Sequence, residues 1–184
     1  MDNGASSYRR FLDGDDNGLA EIIRTYNDGL TLYINSFVGN LSAADALSED
    51  TFVKIGVKRP HYSGRASFKT WLYAIGRNMA MDHLRKNPKQ ETIPAEECAE
   101  VTDGETMETA YLKKEQRIIL YRAMAKLKAD YRQVLWLIYF EEMTAAEAAK
   151  VMKKSPHGVE VLVSRARQSL KAELDREGYH DENL

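Results

Sequence analysis

One segment of this 184-residue chain, residues 88–105, lacks the helical periodicity that precedes and follows it. It contains Pro88 and Pro94, many acidic side chains and few regularly spaced apolar ones, a composition typical of a linker. On both sides of it, apolar residues recur at steps of three and four, the spacing of one helical face. The sequence therefore predicts an all-α chain with two small helical domains, residues 1–87 and 106–184, joined by a flexible linker at 88–105.

The first domain carries three segments with this helical spacing. They run from about Asn17 to Val38, from near Ser42 to a break at residues 56–67, and from Phe68 to a point before Pro88. Ser42 and Asp45 have the spacing of a capping box, and Ser67 is the expected cap of the third helix. The third helix should stop before Pro88, because the residue preceding a proline resists helical angles.

The second domain begins with a helical pattern that includes Ile118, Tyr121 and Met124. Asp130 and Gln133 are predicted to cap the helix that follows it. The remainder of this domain carries the strongest local signal in the chain.

Thr144 and Glu147 form a capping-box pattern in front of a short alanine-rich helix. Lys153 and Lys154 then form a turn, and Ser155 with Pro156 begins the last helix, since proline suits the first helical turn. Two capped helices joined by a tight turn predict a helix-turn-helix, in which the N-terminal residues of the second helix face base edges. A helical hairpin that only packs is the alternative interpretation.

Charge is segregated along the chain although the net charge is only −2. Residues 13–50 and 91–110 are strongly acidic, whereas residues 58–89 and 150–171 are strongly basic. Two basic surfaces can therefore face phosphates while the total stays near zero.

The block from Tyr62 to Asn78 interleaves aromatic, basic and small polar residues. Single-stranded nucleic acid needs such a set, with cations along its backbone and rings or a pocket for an unstacked base. Trp71 shares a helical face with Phe68, so packing in the core is its main alternative role.

The single cysteine, Cys98, excludes an internal disulfide and a multi-cysteine metal site. We expect a cytoplasmic protein without membrane insertion, because no secretion signal or long apolar segment is present. We expect no enzyme activity, cofactor or metal, because the four histidines are scattered and no phosphate loop or nucleophile motif occurs.

Two blocks of the sequence resemble a known family. Residues 44–86, which include Ala-Ser-Phe-Lys-Thr-Trp-Leu-Tyr-Ala-Ile-Gly-Arg-Asn, resemble the promoter-melting domain of extracytoplasmic-function sigma factors. Residues 127–171 resemble the helix-turn-helix domain of the same family. The resemblance implies a subunit that directs core RNA polymerase to promoter DNA, with an anti-sigma factor as a further partner.

The resemblance also implies three sets of site residues. The −10 element would be bound and melted by His61, Tyr62, Ser63, Arg65, Ser67, Lys69, Arg77, Asn78, Arg85 and Lys86. The −35 element would be bound by Thr144, Lys153, Lys154, Ser155, His157, Glu160, Val161, Arg165 and Arg167. Core polymerase would be bound by Asp45, Glu49, Asp50, Phe52 and Lys54.

The chain departs from the family pattern at Ala46, where an acid is usual, and at Glu160 and Val161, where basic or hydroxyl residues are common. An ordinary helix-turn-helix regulator that works without polymerase is a second hypothesis, and it leaves the block from Tyr62 to Asn78 without a role. A helical scaffold is a third. The acidic linker is an alternative to an anti-sigma factor as the shield of the basic surfaces.

Overall fold

The computed structural model describes residues 3–87 and 117–178. Eight α-helices follow one another in these two ranges: α1 Asn3–Leu12, α2 Asn17–Val38, α3 Leu41–Lys58, α4 Phe68–Lys86, α5 at residues 117–125, α6 Ala129–Leu135, α7 Ala145–Met152 and α8 Pro156–Arg176. No strand occurs in either range, so the all-α prediction is confirmed. None of these helices has the length and apolar character that a bilayer crossing requires. The predicted linker, 88–105, lies outside the described residues.

In residues 3–87, hereafter the first half, α2 packs against α1, α3 and α4. Leu30, Phe37, Ile55 and Leu72 meet between these helices and are at most 1% exposed. The first helix, α1, was not predicted from the sequence. This helix lies close to α2, where a Cβ on Gly18 would stand 2.2 Å from the carbonyl oxygen of Ser7. Glycine at this position therefore permits the close approach of α1 to α2.

The start of α3 near Ser42 is confirmed, but the predicted cap was wrong. Asn40 is its cap, with extended backbone angles, and its side-chain oxygen accepts a hydrogen bond of 2.9 Å from the backbone N–H of Ala43. Ser42 lies one residue inside the helix, which continues to Lys58 rather than ending at Gly56. The cap of α4 is confirmed, because Ser67 Oγ accepts from the N–H of Thr70.

In residues 117–178, the second half, the predicted capping of α6 by Asp130 and Gln133 was also wrong. Lys128 occupies the cap position without a side-chain hydrogen bond, and Gln133 is fully buried. The helix continues beyond Leu135 as a π-helix over Trp136–Phe140. Such wider turns are rare and often accompany functional positions.

The helix-turn-helix prediction is confirmed in its geometry. Thr144 and Glu147 form both hydrogen bonds of a capping box at the start of α7. Lys153 adopts left-handed angles, φ 55° and ψ 44°, which turn the chain between α7 and α8. Ser155 then caps α8 by accepting from the N–H of Gly158 at 3.0 Å. The local sequence signals and the structure agree throughout this motif.

The two halves contact each other through α2 with α6 and through α4 with α7. Arg132 of α6 donates from Nε to the backbone oxygen of Ser36 in α2 at a distance of 2.7 Å. As a result, one face of α4 is turned toward the second half rather than toward solvent.

Candidate nucleic-acid interface

The loop before α4 is fixed at both ends and exposed at its tip. Tyr8 Oη of α1 donates to the carbonyl oxygen of Pro60 at 2.8 Å, and Tyr62 Oη donates to that of Ala66 at 2.6 Å. Between these anchors the loop side chains His61, Ser63 and Arg65 are exposed. A preorganised loop of this kind presents its polar tips without a large ordering cost on binding.

Packed aromatic rings lie beneath the loop. Phe68 is fully buried, and its ring centroid lies between 5.3 and 5.8 Å from those of Tyr8, Tyr26, Tyr62 and Trp71. Trp71 is half-buried and also packs against Tyr8 and Tyr62. The core interpretation of Trp71 is therefore the better one. Tyr62 belongs to this cluster and supports the loop from below.

The predicted −10 residues of α4 fall into two groups. Asn78 is half-buried, and Arg85 and Lys86 are exposed near the end of the helix, where Arg85 pairs with Asp82 at 3.0 Å. Lys69 and Arg77 instead point at the second half. Arg77 is only 8% exposed and donates from Nε to Gln133 Oε1 at 2.7 Å.

Lys69 forms an ion pair with Glu141, with 2.8 Å between Nζ and Oε2. Tyr73 Oη donates to the same carboxylate oxygen, also at 2.8 Å. Burial, assisted by the adjacent carboxylate of Glu141, raises the pKa of Tyr73 well above its ordinary value. The phenol therefore keeps its proton and remains a donor to Glu141. Glu141 was not predicted from the sequence, and Gln133 was predicted only as a capping residue, although a glutamine beside an apolar run was a visible signal of its role here.

On the helix-turn-helix, the first turns of α8 face solvent. Ser155, His157, Glu160, Arg165 and Arg167 are exposed, and Val161 is half-buried. Glu160 lies 3.7 Å from Nδ1 of His157, and Lys154 pairs with Asp130 at 3.0 Å. Lys153 is exposed. Exposed polar side chains thus extend from the turn into the N-terminal half of α8.

Thr144 and Glu147 hold the start of α7 in place. The backbone N–H and the hydroxyl of Thr144 donate to Glu147 Oε2 at 3.0 and 2.8 Å. These hydrogen bonds lower the pKa of Glu147 below its usual value, so its carboxylate stays charged at neutral pH. The role that the structure shows for Thr144 is capping.

The predicted polymerase-binding residues lie on α3. Asp45, Glu49, Asp50 and Lys54 are exposed, whereas Phe52 is 4% exposed and packs in the core. The ring of Phe52 therefore supports the helix and is not available on its surface. Val53 and Val57, which the sequence analysis did not single out, are 60% and 72% exposed. Their spacing of four residues puts them on one face of the helix.

Comparison with known proteins assigns both halves to regions of the same family. Residues 22–90 match the family Sigma-70 region 2, and residues 117–170 match Sigma-70, region 4. The ECF RNA polymerase sigma factor SigW of Bacillus subtilis (strain 168) is 25% identical over 170 residues, covering 88% of this chain and 91% of SigW. SigM of the same strain is 28% identical over 162 residues, covering 88% of this chain and 98% of SigM.

The chain belongs to the extracytoplasmic-function sigma factors of the sigma-70 family. It is an RNA polymerase sigma factor, and it acts with core polymerase in promoter-specific initiation of transcription. The hypothesis of a helix-turn-helix regulator without polymerase fails, because it has no place for the region 2 match.

Solved structures show the same fold as this sigma factor. CnrH, solved in complex with the cytosolic domain of CnrY, superposes with a TM-score of 0.66 at 23% identity, covering 95% of this chain and 96% of CnrH. RpoE of Bartonella quintana, solved with the anti-sigma factor NepR, gives a TM-score of 0.64 at 19% identity, covering 85% of this chain and 96% of RpoE. The described helices of the sigma factor are thus arranged as in these proteins.

Proposed function

We propose that this sigma factor divides promoter recognition between its two halves. The first half would bind and help to open the −10 element, and the second half would bind the −35 element through α8. The observation that carries the proposal is the loop at residues 60–67, fixed at both ends and exposed at His61, Ser63 and Arg65.

Melting requires a place for an extruded base, because unstacking a base costs a few kcal/mol. The loop provides polar groups and a cation, and Asn78 adds an amide that can hydrogen-bond a base edge. Ser67, Lys69, Arg77, Arg85 and Lys86 complete the proposed set, with Tyr62 as the support of the loop. Lys69 and Arg77 can join the DNA contact only when the two halves separate, since both are engaged by the second half.

For the −35 element, Ser155, His157, Glu160 and Val161 lie where a recognition helix meets base edges. Lys153, Lys154, Arg165 and Arg167 would hold phosphates. Glutamate can accept a hydrogen bond from the amino group of cytosine, so the acid at Glu160 is compatible with base readout. Thr144 would contribute by fixing the start of α7.

Core polymerase would dock on the exposed face of α3. This face carries Asp45, Glu49, Asp50 and Lys54, and it adds two apolar side chains, Val53 and Val57. An acidic surface with exposed apolar residues suits a basic protein partner better than it suits DNA.

We extend the proposal to an anti-sigma factor as a second protein partner, because RpoE of Bartonella quintana, which shares this fold, was solved in complex with the anti-sigma factor NepR. A partner of this kind should suppress the transcript starts in the assay below, and unchanged starts at saturating partner would contradict its assignment. We also propose the cytoplasm as the place of action and no catalytic activity of the chain itself.

The test is to add purified sigma factor to bacterial core polymerase and to map transcript starts on genomic DNA. With a promoter found in this way, we expect Arg65→Ala and Asn78→Ala to slow open-complex formation roughly tenfold, the scale of one lost base contact. Fluorescence of 2-aminopurine in the −10 element measures opening. Binding of the closed duplex should change much less.

Arg24→Ala is the matched control, because Arg24 is an exposed cation on α2 within the acidic part of the sequence. It should leave the opening rate unchanged. Equal slowing by Arg24→Ala and Arg65→Ala, or normal opening with Asn78→Ala, would contradict the assignment of the loop.

Lys153 and Lys154 offer a separate test of the −35 surface. Each phosphate contact contributes about 0.9 units to the slope of log affinity against log salt concentration. Lys153→Gly with Lys154→Ala should therefore flatten the slope for random-sequence duplex DNA by nearly two units. Glycine is the better replacement for Lys153, because its left-handed angles suit glycine.

Lys126→Ala is the control for this pair. Lys126 is a half-exposed cation that contacts Glu173 and Glu177 at the opposite end of α8. Its removal should not alter the slope. A slope that stays at the wild-type value in the double variant would exclude phosphate contacts at the turn.

A further inference from the structure

Glu141 lies at the centre of the contact between the two halves. Its side chain is only 9% exposed, and its carboxylate receives Lys69 and Tyr73 from α4. Lys69 Nζ also donates to the backbone oxygen of Glu141 at 2.9 Å. The carboxylate of Glu141 thus gives Lys69 an anionic oxygen partner of the same kind as a phosphate oxygen.

The backbone on either side of Glu141 departs from regular α-helix and positions its side chain for this contact. The residue follows directly on the π-helix, and its N–H donates to the carbonyl oxygen of Trp136. Glu142 then takes left-handed angles, with φ 54°. From the side of α2, Gly29 leaves the space that the contact needs, since a Cβ there would lie 2.6 Å from Tyr73 Oη and 3.3 Å from Glu141 Oε1.

Further polar contacts continue the interface along α4 and its loop. Arg77 is held by Gln133, as described above. Near the loop, Ser67 Oγ donates to Glu147 at 3.3 Å, and Lys150 Nζ donates to the backbone oxygen of Arg65 at 3.0 Å. Three of the side chains assigned to the −10 strand, Ser67, Lys69 and Arg77, are thus engaged by the second half.

Among the described residues, none of the hydrogen bonds named above involves the N-terminal turns of α8 or the exposed face of α3. The closed arrangement therefore engages part of the proposed −10 surface, at Ser67, Lys69 and Arg77, and leaves the loop side chains exposed. The −35 surface and the proposed polymerase surface remain accessible in it.

We propose that the two halves form an autoinhibitory latch, in which Glu141 holds Lys69 and Tyr73 and keeps the −10 surface from single-stranded DNA until the halves separate. The inference rests on the proposed role of this surface. It assigns to Glu141 a regulatory function within the chain: the free sigma factor binds duplex through α8 but binds an unpaired strand poorly. Affinity for the strand is then reduced by the fraction of molecules that are open.

The test uses Glu141→Gln and Gly29→Ala in the full chain. The first removes the charge that holds Lys69, and the second places a methyl group against Tyr73 and Glu141 without changing any charge. Glu142→Gln is the matched control, because Glu142 is the exposed neighbouring acid and its loss changes net charge equally. Small-angle X-ray scattering measures the radius of gyration, and fluorescence anisotropy measures binding of a labelled random-sequence single-stranded dodecamer.

We expect both latch variants to expand and to bind the dodecamer about tenfold tighter, a usual size of coupling between sites. Glu142→Gln should change neither quantity, and affinity for random-sequence duplex should stay the same in all variants. Unchanged dimensions in both variants, or expansion without a gain in strand affinity, would overturn the latch. The Asn78→Ala and Arg65→Ala results with polymerase do not depend on it, so failure of the latch and failure of the proposed function are distinguishable.

Discussion

Replacement of Phe68 by alanine is expected to lower the free energy of unfolding of the first half by about 3–5 kcal/mol. Phe68 is fully buried at the first turn of α4 and contacts rings from α1, α2, the loop and α4 itself. Truncation would remove its own burial and leave a cavity that these rings cannot all close. The loop at residues 60–67 would lose its support at the same time, so strand binding should fall together with stability.

The two tryptophans allow this effect to be located. Trp71 lies in the first half and Trp136 in the second, so urea unfolding can follow Trp71 in a Trp136→Phe background. Phe68→Leu should retain most of the burial and lose much less stability. Val57→Ala, at a side chain 72% exposed, should change the free energy by less than about 0.5 kcal/mol. If Phe68→Ala lowered the free energy of unfolding by less than about 1 kcal/mol, the ring of Phe68 would not be the main stabilising contact of the cluster.

Helices whose signals are local were predictable from the sequence. The bounds of α2 at Asn17 and Val38 agree with the apolar spacing, and Ser67 and Ser155 cap α4 and α8 as expected. The reason is physical, because a cap satisfies backbone donors within three residues of itself. The helix-turn-helix was predictable on the same grounds, since each of its signals lies within one turn of the residue that it controls.

The predicted caps of α3 and α6 were wrong because signals in the sequence compete. Asn40 and Ser42 are both good capping residues, and the choice between them depends on where α2 ends, at the left-handed Gly39. Gln133 shows a capping spacing with Asp130, yet burial against α4 determines its position. Tertiary packing decided the second case, and a single sequence does not reveal it.

The contact between the two halves could not be predicted from the sequence, because the residues that form it are far apart along the chain. Glu141 and Lys69 are 72 residues apart, and Arg77 and Gln133 are 56 apart. Basic residues in a nucleic-acid-binding pattern indicate that phosphates can bind, but they do not indicate which side chains within the chain pair with these cations. Arg77 was expected among the exposed DNA contacts, but it is buried. Its guanidinium could pair with a DNA phosphate as well as with the side-chain oxygen of Gln133.

Replacement of Arg132 by alanine is expected to cause the second large loss of stability. The Arg132 side chain joins the two halves by donating hydrogen bonds to backbone carbonyl oxygens. Its side chain is buried, and it donates to the oxygens of Ser36 at 2.7 Å, Leu127 at 2.5 Å and Ala125 at 3.2 Å. Arg132→Ala leaves these acceptors without the guanidinium in a place with little water. We expect a loss of about 3 kcal/mol, since one unsatisfied buried polar group costs about 1–3 kcal/mol.

The expected loss should appear in both halves, because Ser36 belongs to α2 while Ala125 and Leu127 belong to α5 and the turn after it. Urea unfolding followed by Trp136 in a Trp71→Phe background should shift most, and the Trp71 transition should shift less. Arg132→Lys keeps the charge but cannot match the planar fork of donors, so it should recover only part of the loss. Full recovery by lysine would mean that charge alone and not the fork of hydrogen bonds holds α6 against α2. A shift confined to the Trp71 transition would contradict the role of Arg132 in the second half.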